Sequence, residues 1–274
     1  MTEGGQMEIK AERLVIREIS HGEAQQISKL NDPKTVNEYL ATLDDKQIAA
    51  ICKDKYAVAD LLNRFRKSID NGDGKIYGAL KDGLLIGFIS IVNGGSEIPE
   101  LQIEIAPSYH GKGYGYEFMA ALLPYLFESE KYDSIRYTVL PTNAASISLI
   151  KKIGAFLQSP KSEVEKLLVQ TYLISRLSMD AYQAHAYSSS HKPELEKDDV
   201  CGCFSCRSIF KPSEIVEWII ADNPCDKRGT AVCPYCGIDS VIGRSSGYPI
   251  TQNFLSAMNR IWFDGKGEVD NYDL

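Results

Sequence analysis

Two groups of residues have the types and spacing to do chemistry. The first is a set of four cysteines in two C-x-x-C pairs, Cys203/Cys206 and Cys233/Cys236, carried by "CGCFSCRSIF" (201–210) and "TAVCPYCGIDSVIG" (230–243). A C-x-x-C turn aims two thiolates at one point, and two such turns complete a tetrahedral metal site. The pattern implies structural Zn2+, because four protein thiolates leave no open position for a substrate. Iron in a rubredoxin-like site takes the same ligands and stays open as an alternative. A redox C-x-x-C comes singly, at a helix start in a βαβ frame, which paired turns do not match. Cys201 and Cys225 are read as ordinary thiols, with exchange between Cys201 and Cys203 as the other reading.

The second group is "YHGKGYGYEF" (109–118), where three glycines precede an apolar, helix-like run. Glycine is the poorest helix former after proline, so it stands there for a tight turn or a close approach. The first N–H groups of a helix lack intrahelical partners, and the helix dipole favours negative charge beside them. Glycines let those amides reach a phosphate, and Lys112 adds one positive charge. The alternative is a tight turn with no ligand. The spacing is not that of a P-loop, since no Gly-Lys-Ser/Thr closes it, nor of the dinucleotide fingerprint.

These groups need elements to position them. "RLVIREI" (13–19) alternates as a strand, while "HGEAQQISKLN" (21–31) and "YAVADLLNRFRKSIDNG" (56–72) have helical spacing. "IYGALKDGLLIGFISIVNG" (76–94) reads as two strands about a Lys-Asp-Gly turn. "PELQIEIAP" (99–107) is a strand ended by Pro107, and "EFMAALLPYLFESE" (117–130) a helix that Pro124 could kink. "SIRYTVLP" (134–141) and "KLLVQTYLISR" (166–176) are strands. "NAASISLIKKIGAF" (143–156) is a helix capped by Asn143 and stopped near Gly154. The fold class is therefore mixed α/β. Residues 178–199, rich in Ser, Ala, Lys and Asp, read as a linker between a domain at 1–177 and a cysteine-rich domain at 200–274. In the latter, "KPSEIVEWII" (211–220) and "NFLSAMNRIWF" (253–263) read as helices.

The whole chain has 274 residues, a formal charge of −7 and 44% hydrophobic residues. The charge is net −2 over 1–177 and −5 over 178–274, without the basic excess of a general nucleic-acid binder. A polar start and the lack of a bilayer-length apolar run predict a cytoplasmic, non-membrane protein.

The stretch "IAPSYHGKGYGYEF", followed by "VLPTNAASISLIKKIGAF", resembles the GNAT superfamily of acyl-CoA-dependent N-acetyltransferases over about residues 8–177. The family loop, Gln/Arg-x-x-Gly-x-Gly/Ala, corresponds to His110, Gly111, Lys112, Gly113, Tyr114 and Gly115, with His110 in place of the usual Gln or Arg. The start "ERLVIREI" resembles the branch of ribosomal-protein N-terminal acetyltransferases. The resemblance implies a largely antiparallel sheet flanked by helices, with acetyl-CoA as co-substrate and its pyrophosphate on the amides of 111–115. It implies that the strand "IEIA" splays from its neighbour, that the Ile105 N–H polarises the thioester carbonyl, and that Asn143 and Ser146 touch the pantetheine arm. The acceptor is an amine that must lose a proton, and Glu104 is the favoured base, with Glu100 further away. A solvated or substrate-binding Glu104 is the competing reading. The tyrosine that many relatives use as general acid is Ile150 here, leaving Tyr137, Tyr172 and Ser146 as unranked substitutes.

The segment after 200 resembles short bacterial cytoplasmic proteins with a "CPYCGIDSVIG"-type motif, which implies no activity. Its acidic balance points to a protein partner or substrate presentation rather than nucleic acid. Two other functions compete: a non-catalytic interaction protein on a degenerate GNAT scaffold, and an acetyltransferase acting on aminoacyl-tRNA. The acceptor's identity and the oligomeric state stay open at this stage.

Overall fold

Asp82 and Gly83 both take positive φ, 51° and 80°, which is the backbone a two-residue hairpin turn requires. They join β3 (Lys75–Lys81) to β4 (Leu84–Val92) in the computed structural model. The structure describes residues 7–30, 74–92, 97–164, 167–220 and 228–263. The helix expected over 56–72 lies outside the described residues, as do Cys52 and Cys225. The chain divides into two compact units, Met1–Ile153 with Leu157–Ser175 and Gly154–Phe156 with Arg176–Leu274.

The first unit is built on an eight-stranded sheet. Its other strands are β1 (Glu8–Lys10), β2 (Val15–Glu18), β5 (Glu100–Ile105), β6 (Ser134–Val139), β7 (Phe156–Val164) and β8 (Leu167–Ser175). The order is β1-β2-β3-β4-β5-β6-β8-β7. The pairs β1–β2, β2–β3, β3–β4, β4–β5 and β6–β8 are antiparallel; β5–β6 is parallel. This is the mixed α/β, largely antiparallel sheet that the sequence predicts, with β1 and β7 as unforeseen additions.

Helices cover both faces. Helix α1 (His21–Leu30) is capped by Ser20, whose hydroxyl accepts from the Glu23 N–H while the Glu23 carboxylate accepts from the Ser20 N–H. It buries Ala24 and Ile27 against Ile76, Phe88 and Ala106. Helix α2 (Tyr114–Glu128) runs on through Pro124 and buries Phe118, Met119, Leu122, Leu123 and Leu126. Burying each of these side chains contributes roughly 1.5–3 kcal/mol. Helix α3 (Ala144–Lys152) starts at Asn143, whose side chain accepts from the Ser146 N–H, and Gly154 follows it at φ 92°.

The second unit corrects two expectations. Residues 178–199 do not form an open linker. They carry α4 (Arg176–Ala184) and the short α5 (Lys192–Leu195), with Met179, Ala181, Ala184 and Leu195 buried. Ala181 and Ala184 join a core with Phe254, Leu255 and Met258 of α6 (Gln252–Trp262), so small residues form the buried stripe. The helix expected over 211–220 is also absent. Pro212–Glu214 is a single 3-10 turn and Trp218–Ile220 is strand β11. The β-branched run Ile215, Val216, Ile219, Ile220 favours the extended form. Strands β9 (Cys201–Cys203), β10 (Ile209–Phe210) and β13 (Val241–Gly243) form one small sheet, and β11 pairs with β12 (Gly229–Ala231).

Candidate active site and metal centre

The glycine loop begins where Pro107 ends β5. After a 3-10 turn at Pro107–Tyr109, Gly111 and Gly113 take φ of 72° and 82°, a left-handed backbone that only glycine adopts cheaply. Gly113 is the N-cap of α2. Gly115 has a different reason: a Cβ there would lie 3.3 Å from Leu149 Cδ2 and 3.8 Å from Ile103 Cδ1. Its bareness lets α2 approach α3 and β5. Lys112 turns back on its own loop, donating to the Ser108 carbonyl at 2.8 Å.

Beside the loop the sheet splits. Strands β5 and β6 share one register pair, Glu100↔Arg136, and beyond it β5 runs on unpaired with β6. The Ala106 N–H donates to Ile86 of β4. Alternation along the strand therefore turns the N–H and carbonyl of Ile105 toward the split. A cleft of about 700 Å3 occupies it, lined by Ile105, Gly113, Tyr137, Asn143 and Ser146 among others. The His110 ring reaches back into this region, with Nε2 donating to the Ile105 carbonyl at 2.6 Å.

Glu104 also lines the cleft. It stands opposite Phe88 across β4–β5, so it shares the sheet face that α1 covers. Ile103 and Ile105 point to the other face, toward α2. Glu100 lies at the closed end, where burial pushes its carboxyl up against the opposing effects of Thr138 and Arg136. Of the three substitute acids, Tyr137 and Ser146 line the cleft; burial pushes the Tyr137 hydroxyl up and the neighbouring Ser146 opposes it. The Tyr172 hydroxyl instead donates to Gln170 at 3.2 Å. Ile150 is fully buried.

Arg13 went unrecognised as a site residue because its partners are distant in sequence. Its Nε donates to the Glu117 carboxylate at 2.7 Å and its Nη1 to the Lys112 carbonyl at 3.1 Å. Its guanidinium stacks 4.4 Å from the Tyr114 ring centre.

In the second unit, the sulfurs of Cys203, Cys206, Cys233 and Cys236 lie within 4.8 Å of one another. Both turns have the same backbone. The Arg207 N–H donates to the Cys203 carbonyl and the Gly237 N–H to the Cys233 carbonyl, with φ of 66° and 73° at Arg207 and Gly237. The spacings Cys203–Cys236 and Cys206–Cys233 are 3.6 and 3.7 Å. A tetrahedron with metal–sulfur bonds of about 2.3 Å has edges of about 3.8 Å, so the four thiols fit a soft divalent metal. Ser240 Oγ stands 3.1 Å from Cys203 Sγ. Buried Asn259 of α6 donates to the carbonyls of Phe204 and Ser205, at 3.0 and 2.9 Å. Cys201 is outside the quartet; its thiol donates to the Phe210 carbonyl, and burial pushes it up to about 12.

Residues 13–155 match the model of the acetyltransferase (GNAT) domain family, and the chain belongs to that family. Similar solved structures include a GNAT-family acetyltransferase from Bacillus anthracis, 23% identical, covering 62% of this chain and 98% of that one with a TM-score of 0.44. Another is RimJ of Mycobacterium smegmatis in complex with CoA-disulfide, 17% identical, covering 64% and 90% with a TM-score of 0.43. A third is mutant spermidine/spermine N-acetyltransferase SpeG from Vibrio cholerae, 18% identical, covering 62% and 98% with a TM-score of 0.41. The comparison with curated proteins gives no match.

Proposed function

We propose that the first unit is an acetyl-CoA-dependent N-acetyltransferase for a primary amine, a protein N-terminus, a lysine or a small molecule, and that the second unit is stabilised by a structural Zn2+. The observation that carries the enzymatic reading is the split between β5 and β6 beside a glycine-capped helix start, in a chain of the GNAT family. Acetyl-CoA supplies an acetyl group activated as a thioester. The amides of residues 111–115 hold its pyrophosphate. The Ile105 N–H donates to the thioester carbonyl oxygen, where negative charge develops. Asn143 and Ser146 border the pantetheine arm. Glu104, on the opposite face of β5 from α2, takes a proton from the incoming amine, directly or through water. The Tyr137–Ser146 pair stands where a proton can be returned to the leaving sulfur.

One contact favours a second reading. His110 holds the Ile105 carbonyl, a strand-edge group beside the proposed donor; a chain that kept the scaffold without the cofactor would leave it there. Release of CoA thiol with a panel of amines and N-terminal peptides tests the choice. Turnover that depends on both substrates supports the enzyme. No turnover, and no binding of acetyl-CoA, supports the scaffold.

For the metal, four soft, convergent thiols are the supporting observation. Zinc would be held by Cys203, Cys206, Cys233 and Cys236 and would tie β9 to the β12–β13 connection. A protein partner or a bound acceptor is the reading for the surface of this unit. Metal analysis of the purified protein, with loss of one equivalent on Cys206→Ser, tests the site.

A further inference from the structure

Glu117 is a misfit at a phosphate cradle. It lies in the first turn of α2, where unpaired N–H groups and the helix dipole would receive an anion. Its side chain is only 12% exposed, so water screens its charge poorly. Alone, this carboxylate would repel the pyrophosphate. Arg13 answers it from the far end of the sequence. Its main-chain N–H and its Nε both donate to the Glu117 carboxylate, one to each oxygen. The same guanidinium donates through Nη1 to the Lys112 carbonyl, which immediately precedes left-handed Gly113. Its Nη2 lies 3.5 Å from the point a Cβ on Gly113 would occupy. Tyr114 supports the guanidinium from its ring face, and Tyr109 packs edge-on against Tyr114. Lys112, the cation inside the loop, is drawn to Ser108 instead.

We propose that Arg13 is a positioning residue for the pyrophosphate of coenzyme A: it neutralises Glu117 and fixes the Lys112–Gly113 peptide, so that the start of α2 accepts an anion. The inference rests on the acyl-CoA reading. It makes Glu117 the lock for Arg13 and an electrostatic liability once Arg13 is gone.

The test is a double-mutant cycle on the full chain, read by calorimetry with coenzyme A, and with pantetheine as a probe that lacks the pyrophosphate. Arg13→Gln weakens coenzyme A binding by about tenfold, the effect of losing one partly screened charge beside a dianion. The loss shrinks at high salt. Arg13→Gln combined with Glu117→Gln recovers most of the affinity, and Arg13→Lys keeps a large part of it. Pantetheine binds all variants alike, and thermal melts confirm that each is folded. In turnover, Arg13→Gln raises KM for acetyl-CoA with kcat nearly unchanged. Wild-type binding with an unaffected Arg13→Gln overturns the inference alone. So does a double variant as weak as Arg13→Gln, which would make the role purely one of shape. Failure of the wild type to bind coenzyme A overturns the acyl-CoA reading, and this inference with it.

Discussion

Gly111 and Gly113 are spared a side chain for their left-handed backbone and Gly115 for close packing, and substitution should separate the two reasons. At Gly113, φ of 82° strains any Cβ by about 1 kcal/mol. That strain should give Gly113→Ala a small fall in melting temperature, and on the proposed reading the added methyl beside the loop amides should lower acetyl-CoA affinity at least about tenfold. Gly115→Ala meets side-chain atoms of Leu149, Ile103 and Ile105, of which only Leu149 Cδ2 is closer than 3.4 Å. Its cost should stay below about 1 kcal/mol, and calorimetry with thermal melts checks both. Glu104→Gln should reduce kcat by about a hundredfold near neutrality and remove the acid limb of the pH–rate profile; an unchanged profile would exclude it as base. The glycine loop and the four cysteines stand out in the sequence because their signal lies in residue type and local spacing; the base role proposed for Glu104 came with the family resemblance. Arg13 does not stand out, because its partner Glu117 is 104 positions away and nothing local announces a pairing that the sheet creates. The ranking of Tyr137 and Ser146 over Tyr172 likewise required the cleft.

At the scale of elements, turns and caps were read from the sequence and registers were not. Asp82-Gly83, the Asn143 cap and the Gly154 stop have local causes and stand where expected. The β5–β6 split followed from family resemblance; no local signal says where parallel pairing stops. The stretch 178–199 was misjudged because three of the four residues that α4 buries, Ser178, Ala181 and Ala184, are small, and 211–220 because an apparent cap precedes a β-branched run. Helix α1 offers an electrostatic test. The Arg17 guanidinium, with added hydrogen bonds from Ser20, holds the Glu23 carboxyl down at about 2. That is below an unfolded glutamate's value of about 4.3. The stabilisation is therefore whole above that value and fades as pH falls toward about 2. Glu23→Gln should flatten the acid limb of stability against pH in denaturant titrations. In the second unit, Asn259→Leu would remove the donor from one buried and one half-buried carbonyl and should cost about 2 kcal/mol, with weaker metal retention against a chelator.

At the scale of the whole molecule, the chain joins a GNAT unit to a unit organised around four thiols. The core of the second unit includes Cys203 and Cys233 themselves, packed with Leu195, Phe210, Ile215 and Val241. On the zinc reading proposed above, metal binding and folding would be one process there. Chelation should open residues 176–263 to proteolysis, and readdition of zinc should restore protection. Lower pH should speed the loss, since protons compete for the thiolates. No helix among the described residues is long and apolar enough to cross a membrane.

The central claim is that the glycine loop and the split strand hold acetyl-CoA. The measurement that tests it most directly is calorimetric titration of acetyl-CoA into the zinc-replete full chain, with Gly113→Ala alongside. The account predicts binding in the micromolar range at one site, lost or weakened at least about tenfold in the variant. No binding by the wild type, or equal binding by both proteins, would contradict it.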